Sequence, residues 1–194
     1  EYSEEEVSTN DPPPLGNPIE LTIFVDSDWA HDTVTRRSIT GLVVMLGRTP
    51  IYAKAVRQTA VETSSFSAEF SAARTAVEMA IGFRLALRSF GVPLKGPTKI
   101  CGDNLGVIQQ STLLSSPLKK KHTSISYHRC RSIVACGAVE IVKVRSEDNL
   151  ADLCTKPLGR QTFWNLIKSF LWVGRSRPCG WPGAYEEGEE PLQR

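Results

Sequence analysis

The chain has 194 residues, a hydrophobic fraction of 41% and a formal net charge of +2. A sizeable core can form from this composition, which fits one domain with tails or at most two small domains. No apolar run reaches the length of a membrane span and no signal peptide is visible, so we expect neither a membrane protein nor a secreted one. Because the sequence opens on Glu1 rather than Met, we expect a piece of a longer protein.

Charge is distributed unevenly along the chain. Residues 1–19 carry five acids and no base, and residues 175–194 carry four acids and three arginines, which leaves the middle with a net charge of +8. A basic body suits a polyanionic partner such as nucleic acid, although many unrelated domains are equally basic. The five cysteines form no C-x-x-C pair, which favours free thiols in a reducing compartment.

The two ends of the chain have compositions that cannot bury much apolar area. Residues 1–18 are acidic and then proline-rich, which predicts a disordered linker. Residues 174–194 are dominated by Pro, Gly and Glu, which predicts a disordered tail. The ordered domain is therefore expected to cover residues 19–173.

The ordered part opens with three predicted strands. The first begins at Leu21, alternates apolar and polar residues, and delivers Asp26 and Asp28 on one face at its exit. The second covers residues 39–46 and the third residues 51–56, and both follow short turns. Strands joined so closely predict an antiparallel meander.

A long amphipathic helix is predicted from about residue 65 to about residue 90, where Gly91-Val92-Pro93 ends it. Glu69 falls near its start. The N-terminus of a helix is partly positive, so we expect the Glu69 carboxylate to stay ionised and ready to bind a cation.

The second half of the chain alternates strands and helices. A strand at 98–101 ends in Gly102-Asp103-Asn104, and Asn104 is a candidate cap for a helix over 105–112. Further predicted elements are a helix at 124–135, a strand at 139–144, a helix from Ser146 to Thr155 and a helix at 160–173. Helical crossovers make strands one, four and five parallel. We therefore predict an α/β fold with a five-stranded mixed sheet flanked by helices.

This topology can bring four acids together. Asp26 leaves strand one and Asp103 leaves strand four, and their ends lie close together if these parallel strands are neighbours. Glu69 and Asp152 can converge on the same edge. Oxygen ligands alone suit Mg²⁺ or Mn²⁺ rather than zinc, and two such ions about 4 Å apart can clamp a phosphodiester displacement. Two alternatives stay open: each acid is a solvated loop-end residue, or Asp28 replaces Asp26 as the bridging ligand.

A series of short motifs runs across about residues 20–172. They are Asp26-Ser-Asp-Trp-Ala, Asp32, Thr35-Arg36-Arg37-Ser38-Ile-Thr-Gly41, Gln58, Ser67-Ala68-Glu69-Phe70, Cys101-Gly-Asp103-Asn104, Lys121-His122, Tyr127-His128, Glu147-Asp148-Asn-Leu-Ala151-Asp152 and Thr155-Lys156-Pro157-Leu158. In its members and in their order, this series resembles the ribonuclease H domain of copia-type (Ty/copia) retrotransposon polyproteins.

The resemblance implies a ribonuclease H-like fold and a two-ion site, with Mg²⁺ or Mn²⁺, on Asp26, Glu69, Asp103 and Asp152. It implies that Asp26 bridges both ions, that Glu69 and Asp103 hold the leaving-group side, and that Asp152 holds the ion that activates water. The implied reaction is endonucleolytic cleavage of the RNA strand of an RNA–DNA hybrid during reverse transcription. The implied partner is the reverse transcriptase domain of the same polyprotein. The implied location is intracellular and cytoplasmic, within a virus-like particle if the element is active.

The sequence departs from the family at several positions. Ser67, Ala53, Ser124 and Ser126 replace the family's usual residues, and residues 145–147 lack a proton-shuttling His. A second hypothesis is therefore a decayed or domesticated fold that binds nucleic acid or protein without cutting. A third, an integrase-type nuclease, is disfavoured because integrases place their glutamate last, whereas Glu69 precedes Asp103 here.

Several other side chains are candidates for contacts with nucleic acid. A zinc site on His122, His128, Cys130 and Cys136 is disfavoured because their spacing matches no common zinc pattern. Basic residues after the first strand and in the second half can follow a phosphate backbone, or can be solvated surface. The candidate nucleic-acid-binding residues are Arg36, Arg37, Asn104, Lys119, Lys120, Lys121 and Arg129.

Overall fold

The computed structural model describes residues 10–112, 124–168 and 171, and its strands form one mixed sheet in the order β3-β2-β1-β4-β5. The strands are β1 (Leu21–Asp28), β2 (Ile39–Leu46), β3 (Thr49–Arg57), β4 (Thr98–Gly102) and β5 (Val139–Lys143). β1 pairs antiparallel with β2, and β2 with β3. β4 lies parallel to both β1 and β5. The predicted five-stranded mixed sheet is confirmed.

The helices are α1 (Ser65–Ser89), α2 (Leu105–Thr112), α3 (Ser124–Ala135), α4 (Asp152–Thr155) and α5 (Arg160–Ile167). Ser64 caps α1, because its side chain accepts a hydrogen bond from the backbone N–H of Ser67. The chain leaves α1 through Gly91, whose φ of +71° is a conformation that glycine adopts without strain. Asn104 caps α2, since its Oδ1 accepts hydrogen bonds from the backbone N–H groups of Gly106 and Val107.

Apolar side chains cover both faces of the sheet. On one face the strands pack against α1 and α3 through a large buried cluster that includes Ile23, Phe70, Ile100 and Cys130. On the other face a smaller cluster holds Val43, Met45, Leu150 and Leu166. The sheet therefore lies between two apolar layers, and the carboxyl ends of β1 and β4 lie at one edge of it. Polar side chains at this edge can be held rigidly.

The predicted helix from Ser146 to Thr155 is wrong. The structure has a 3-10 turn at Ser146–Asp148 and then an extended Asn149 (φ −79°, ψ 102°) before the single turn of α4. The break follows from Asn149, which is fully buried and bonds to backbone groups of β1 and of Ala151. Asp148 and Asp152 therefore do not share one continuous helix face, and Asp148 pairs with Arg145 instead.

Part of the N-terminal segment lies against the domain. The backbone N–H of Leu15 donates to the carbonyl of Gly91, and Ile19 forms a parallel bridge with Leu94. The predictions of a disordered linker and tail stay predictions, because residues 1–9 and 172–194 lie outside the described residues. Over 10–112 and 124–168, no helix combines the length and apolarity needed to cross a bilayer.

Candidate active site

Asp26 is the buried centre of the candidate site. It lies near the carboxyl end of β1, opposite Gly41 of β2, and it is 1% exposed. The hydroxyl of Thr155 donates a hydrogen bond to its carboxylate, and the Nζ of Lys156 lies 3.4 Å away. Asp28, two residues on, is part-exposed and pairs with His31 at 2.6 Å. The structure thus separates the two acids that the sequence left as rivals.

Asp103 follows β4, which is the parallel neighbour of β1. Its Oδ2 accepts a hydrogen bond of 2.8 Å from the hydroxyl of Ser146, in the turn after β5. Because β1 and β4 run in the same direction, Asp26 and Asp103 come to the same edge of the sheet.

Glu69 reaches the same edge from α1. It is the fifth residue of the helix, beyond the first turn, which contains no acid. Burial, and then the charges of Asp26 and Asp103, raise the pKa of Glu69 to about 8. The expectation that the helix N-terminus keeps Glu69 ionised is wrong for the metal-free protein, because desolvation and like charges outweigh the helix dipole.

Three of the acids form a group that fits a divalent cation. Within the described part of the chain, Asp26, Glu69 and Asp103 each offer a carboxylate oxygen, and these oxygens lie within 4.8 Å of one another. Hard all-oxygen donor sets suit Mg²⁺ or Mn²⁺. Burial first, and then the neighbouring carboxylates of Asp26 and Asp103, raise the pKa of Glu69, and a cation bound among the three would offset both effects.

Asp152, the fourth predicted ligand, begins α4 and is 7% exposed. Its Oδ1 accepts a hydrogen bond of 2.8 Å from Lys156, one helical turn later. Burial raises the pKa of Asp152. Burial alone would lower the pKa of Lys156, but its contacts with Asp152 and Asp26 outweigh burial and raise that pKa. Asp152 therefore reaches Asp26 through a shared lysine rather than through the acid trio.

Gly41 lets α4 approach the sheet closely. A Cβ atom at this position would lie 2.5 Å from Thr155 Cγ2, 2.8 Å from the carbonyl oxygen of Ala151 and 2.9 Å from the Cβ of Cys154. A side chain cannot fit there without moving α4. Because Gly41 has no side chain, α4 can pack directly against β2, and this packing places Thr155, Lys156 and Asp152 near Asp26.

Asn149 ties the segment before α4 to β1. Its Nδ2 donates to the carbonyl of Val25 at 3.0 Å, and its Oδ1 accepts from the N–H of Ala151 at 3.2 Å. We expect Asn149→Ala to lower the free energy of unfolding by about 1–3 kcal/mol, because buried polar groups lose their partners. Urea denaturation measures this. Asn165→Ala, an exposed change on α5, is the matched control, and an equal loss of stability in both variants would contradict the anchoring role.

The pKa of Glu69 predicts how stability depends on pH in the metal-free protein. Its folded pKa is about 8, against an ordinary 4.5. Between these values the folded state keeps a proton that the unfolded chain releases. The contribution of Glu69 to stability is therefore fully present below pH 4.5 and is lost as pH rises to 8. The expected slope is about 1.4 kcal/mol per pH unit at its steepest.

Thermal unfolding in EDTA at several pH values measures this slope, with Glu69→Gln as the reference that lacks the titrating group. We expect Tm of the wild type to fall relative to that of the variant as pH rises, and we expect added Mg²⁺ to remove the difference. Parallel Tm curves for the two proteins in EDTA would contradict the assignment.

The candidate nucleic-acid-binding residues are less closely grouped. Arg36 is exposed, with φ of 57°, and Arg37 is half-buried; both lie in the loop between β1 and β2. Arg129 on α3 forms a two-pronged ion pair with Glu78 on α1, at 2.7 and 3.0 Å. Asn104 uses its side-chain oxygen as a helix cap. The remaining candidates, Lys119, Lys120 and Lys121, lie outside the described residues, as does His122.

Sequence reasoning assigned no role to several residues that shape the site. Thr155 and Lys156 appear in the sequence analysis only as members of a family motif. The i, i+4 spacing of Asp152 and Lys156 is nevertheless a signal for an ion pair. Gly41 stood within another motif. Ser146 is the predicted start of a helix, and in the structure its hydroxyl donates a hydrogen bond to Asp103.

Two plant proteins are similar in sequence to this chain. It is 36% identical over 169 residues to the "Retrovirus-related Pol polyprotein from transposon RE2" of Arabidopsis thaliana. It is 38% identical over 167 residues to the corresponding polyprotein from transposon RE1 of the same plant. These matches cover 85% and 84% of the chain but 11% of each relative's length. No protein-family model matches the chain.

Solved structures share the fold. The chain superimposes on LC11-RNase H1, isolated from compost and crystallised in complex with an RNA/DNA hybrid, with a TM-score of 0.55. The match covers 70% of this chain and 93% of that protein at 15% sequence identity. At this level of identity the likeness establishes the fold, which is ribonuclease H-like.

Proposed function

This chain is homologous to a segment of the retrovirus-related Pol polyproteins of copia-type transposons and has a ribonuclease H-like fold, and on that premise we propose that it hydrolyses the RNA strand of RNA–DNA hybrids. The reaction serves reverse transcription of the element. One observation carries the proposal: Asp26, Glu69 and Asp103 converge within 4.8 Å at the carboxyl ends of two parallel strands.

The donor set supports an assignment of metal ligands. Asp26, Glu69 and Asp103 would hold one Mg²⁺, with Mn²⁺ as a substitute, and Asp26 and Asp152 would hold a second. When bound, such ions lower the pKa of a water and stabilise the oxygens of a phosphodiester displacement. Around them, the chain's own residues fix the geometry: Ser146 holds Asp103, and Thr155 holds Asp26.

The substrate is a double strand in which one strand carries 2′-hydroxyl groups. A site that contacts this hydroxyl distinguishes RNA from DNA. Arg36, Arg37 and the basic run Lys119–Lys121 are proposed to contact the phosphates. The proposed protein partner is the reverse transcriptase domain of the same polyprotein, and the proposed location is the cytoplasm.

Cleavage of a labelled hybrid tests the proposal. The full 194-residue chain is incubated with Mg²⁺ and a hybrid labelled on each strand in turn, with EDTA and Asp103→Asn as controls. We expect cleavage of the RNA strand only, lost in both controls.

A second arm separates a nuclease from a binding module. If the folded chain retains the hybrid in a gel shift but cuts neither strand, even with the reverse transcriptase domain added, the nuclease proposal fails and the binding module is favoured. Equal cutting of a DNA duplex would contradict the assigned substrate.

A further inference from the structure

Lys156 places a positive charge between two of the four carboxylates. Its Nζ lies 2.8 Å from Oδ1 of Asp152 and 3.4 Å from the carboxylate of Asp26. Both acids are more than nine-tenths buried, whereas the lysine side chain is 38% exposed and reaches in from the surface. The pair of acids therefore has a cation of the chain itself within ion-pair distance.

Asp26 is shared between two different surroundings. On one side it belongs to the trio with Glu69 and Asp103, whose oxygens lie within 4.8 Å of one another. On the other side it faces Lys156 and, through it, Asp152. A cation at the trio would meet carboxylates alone. A cation between Asp26 and Asp152 would also meet the ammonium group of Lys156.

We propose that Lys156 is a built-in cation of this site: it occupies the Asp26–Asp152 side in the absence of nucleic acid, so that one divalent ion binds at the trio and a second binds only when the ammonium moves away. The inference rests on the proposed metal-dependent function. It adds that the two ion positions are not equivalent before the substrate arrives.

Charge supports this division. Once a divalent ion at the trio has displaced the proton of Glu69, four carboxylates, one ammonium and that ion carry a net charge of −1. A second divalent ion beside Lys156 would make the site positive at a buried position, and like charges a few ångströms apart repel strongly there. Removal of the lysine charge removes that repulsion and leaves two carboxylates in need of a cation.

The test is a Mn²⁺ titration of the full, EDTA-stripped chain without nucleic acid, with bound Mn²⁺ counted by electron paramagnetic resonance. We expect one Mn²⁺ per chain in the wild type and in Lys156→Arg, which keeps the charge. We expect two in Lys156→Met, with the second ion bound at least about ten-fold more tightly than any second ion in the wild type.

Lys95→Met is the matched control, because Lys95 is exposed and precedes β4 at the opposite end of that strand from Asp103. It should bind one Mn²⁺, like the wild type. In EDTA we expect Lys156→Met to have a lower Tm than Lys95→Met, and we expect Mn²⁺ to close the gap.

Three outcomes would overturn the inference. Two Mn²⁺ of similar affinity in the wild type would do so without any variant, as would the same Mn²⁺ count and affinity in the wild type and in Lys156→Met. Absence of Mn²⁺ binding in every protein would overturn the inference together with the proposed function, whereas the first two outcomes leave that function standing.

Discussion

Replacement of Asp26 by asparagine is expected to reduce cleavage of the RNA strand by about 1000-fold or more, since loss of a metal ligand removes several kcal/mol of transition-state stabilisation. The change keeps the size of the side chain, and Oδ1 of asparagine can still accept the hydrogen bond from Thr155. The variant should therefore stay folded. Single-turnover cleavage of a labelled hybrid, with circular dichroism as the check on folding, measures the effect.

Asp28→Asn is the matched control for this prediction. Asp28 lies two residues further along β1, is part-exposed and pairs with His31 rather than with the acid trio. We expect this variant to keep its cleavage rate within about three-fold, as is usual for a surface group outside the site. A larger loss of cleavage rate in Asp28→Asn than in Asp26→Asn would show that Asp28, rather than Asp26, is the metal ligand.

Replacement of Gly41 by alanine is expected to have the second largest effect. The added Cβ would lie within 3 Å of Ala151, Cys154 and Thr155, so α4 must move away from β2. Overpacking of this kind lowers the free energy of unfolding by about 1–3 kcal/mol. A displacement of about 1 Å at Asp152 lowers the cleavage rate by roughly 100-fold.

Gly82→Ala tests whether the effect belongs to the site rather than to any glycine. Gly82 is an exposed residue within α1, and an added Cβ would meet nothing within 4 Å. Because alanine favours a helix over glycine, this variant should gain about 0.5–1 kcal/mol of stability and keep its activity. Denaturation and cleavage assays on both variants decide the matter, and similar stability changes for both would refute the packing argument for Gly41.

Much of the fold could be predicted because its elements have strong local signals. Alternation marked β1, the helical period marked α1, and the Gly91-Val92-Pro93 run marked its end. The helical crossovers predicted that β1, β4 and β5 run parallel, and the structure adds that β1 pairs with β4 and β4 with β5. These signals depend on residues near one another in the chain, which is why they are visible in the sequence.

The site could be predicted only in part, because its geometry depends on contacts between distant segments. The helix breaks at Asn149 because the side chain of Asn149 forms a buried hydrogen bond to the carbonyl of Val25, and no local sequence pattern predicts this contact. The raised pKa of Glu69 depends on burial and on Asp26 and Asp103, whereas the sequence showed only a helix start nearby. Lys156 carried a visible i, i+4 signal to Asp152, but its contact with Asp26 required the fold.

The links that close the site span almost the whole domain, and this determines when the site can form during synthesis. Asn149 reaches Val25 across 124 positions, and Thr155 reaches Asp26 across 129. Proteins that depend on such distant pairings fold slowly, and a chain emerging from the ribosome can form its early elements first. The meander of β1–β3 and helix α1 can therefore assemble while α4 is still being made. A chain that ends just before residue 149 contains all five strands but lacks Asn149, Asp152 and Thr155, so its site is incomplete.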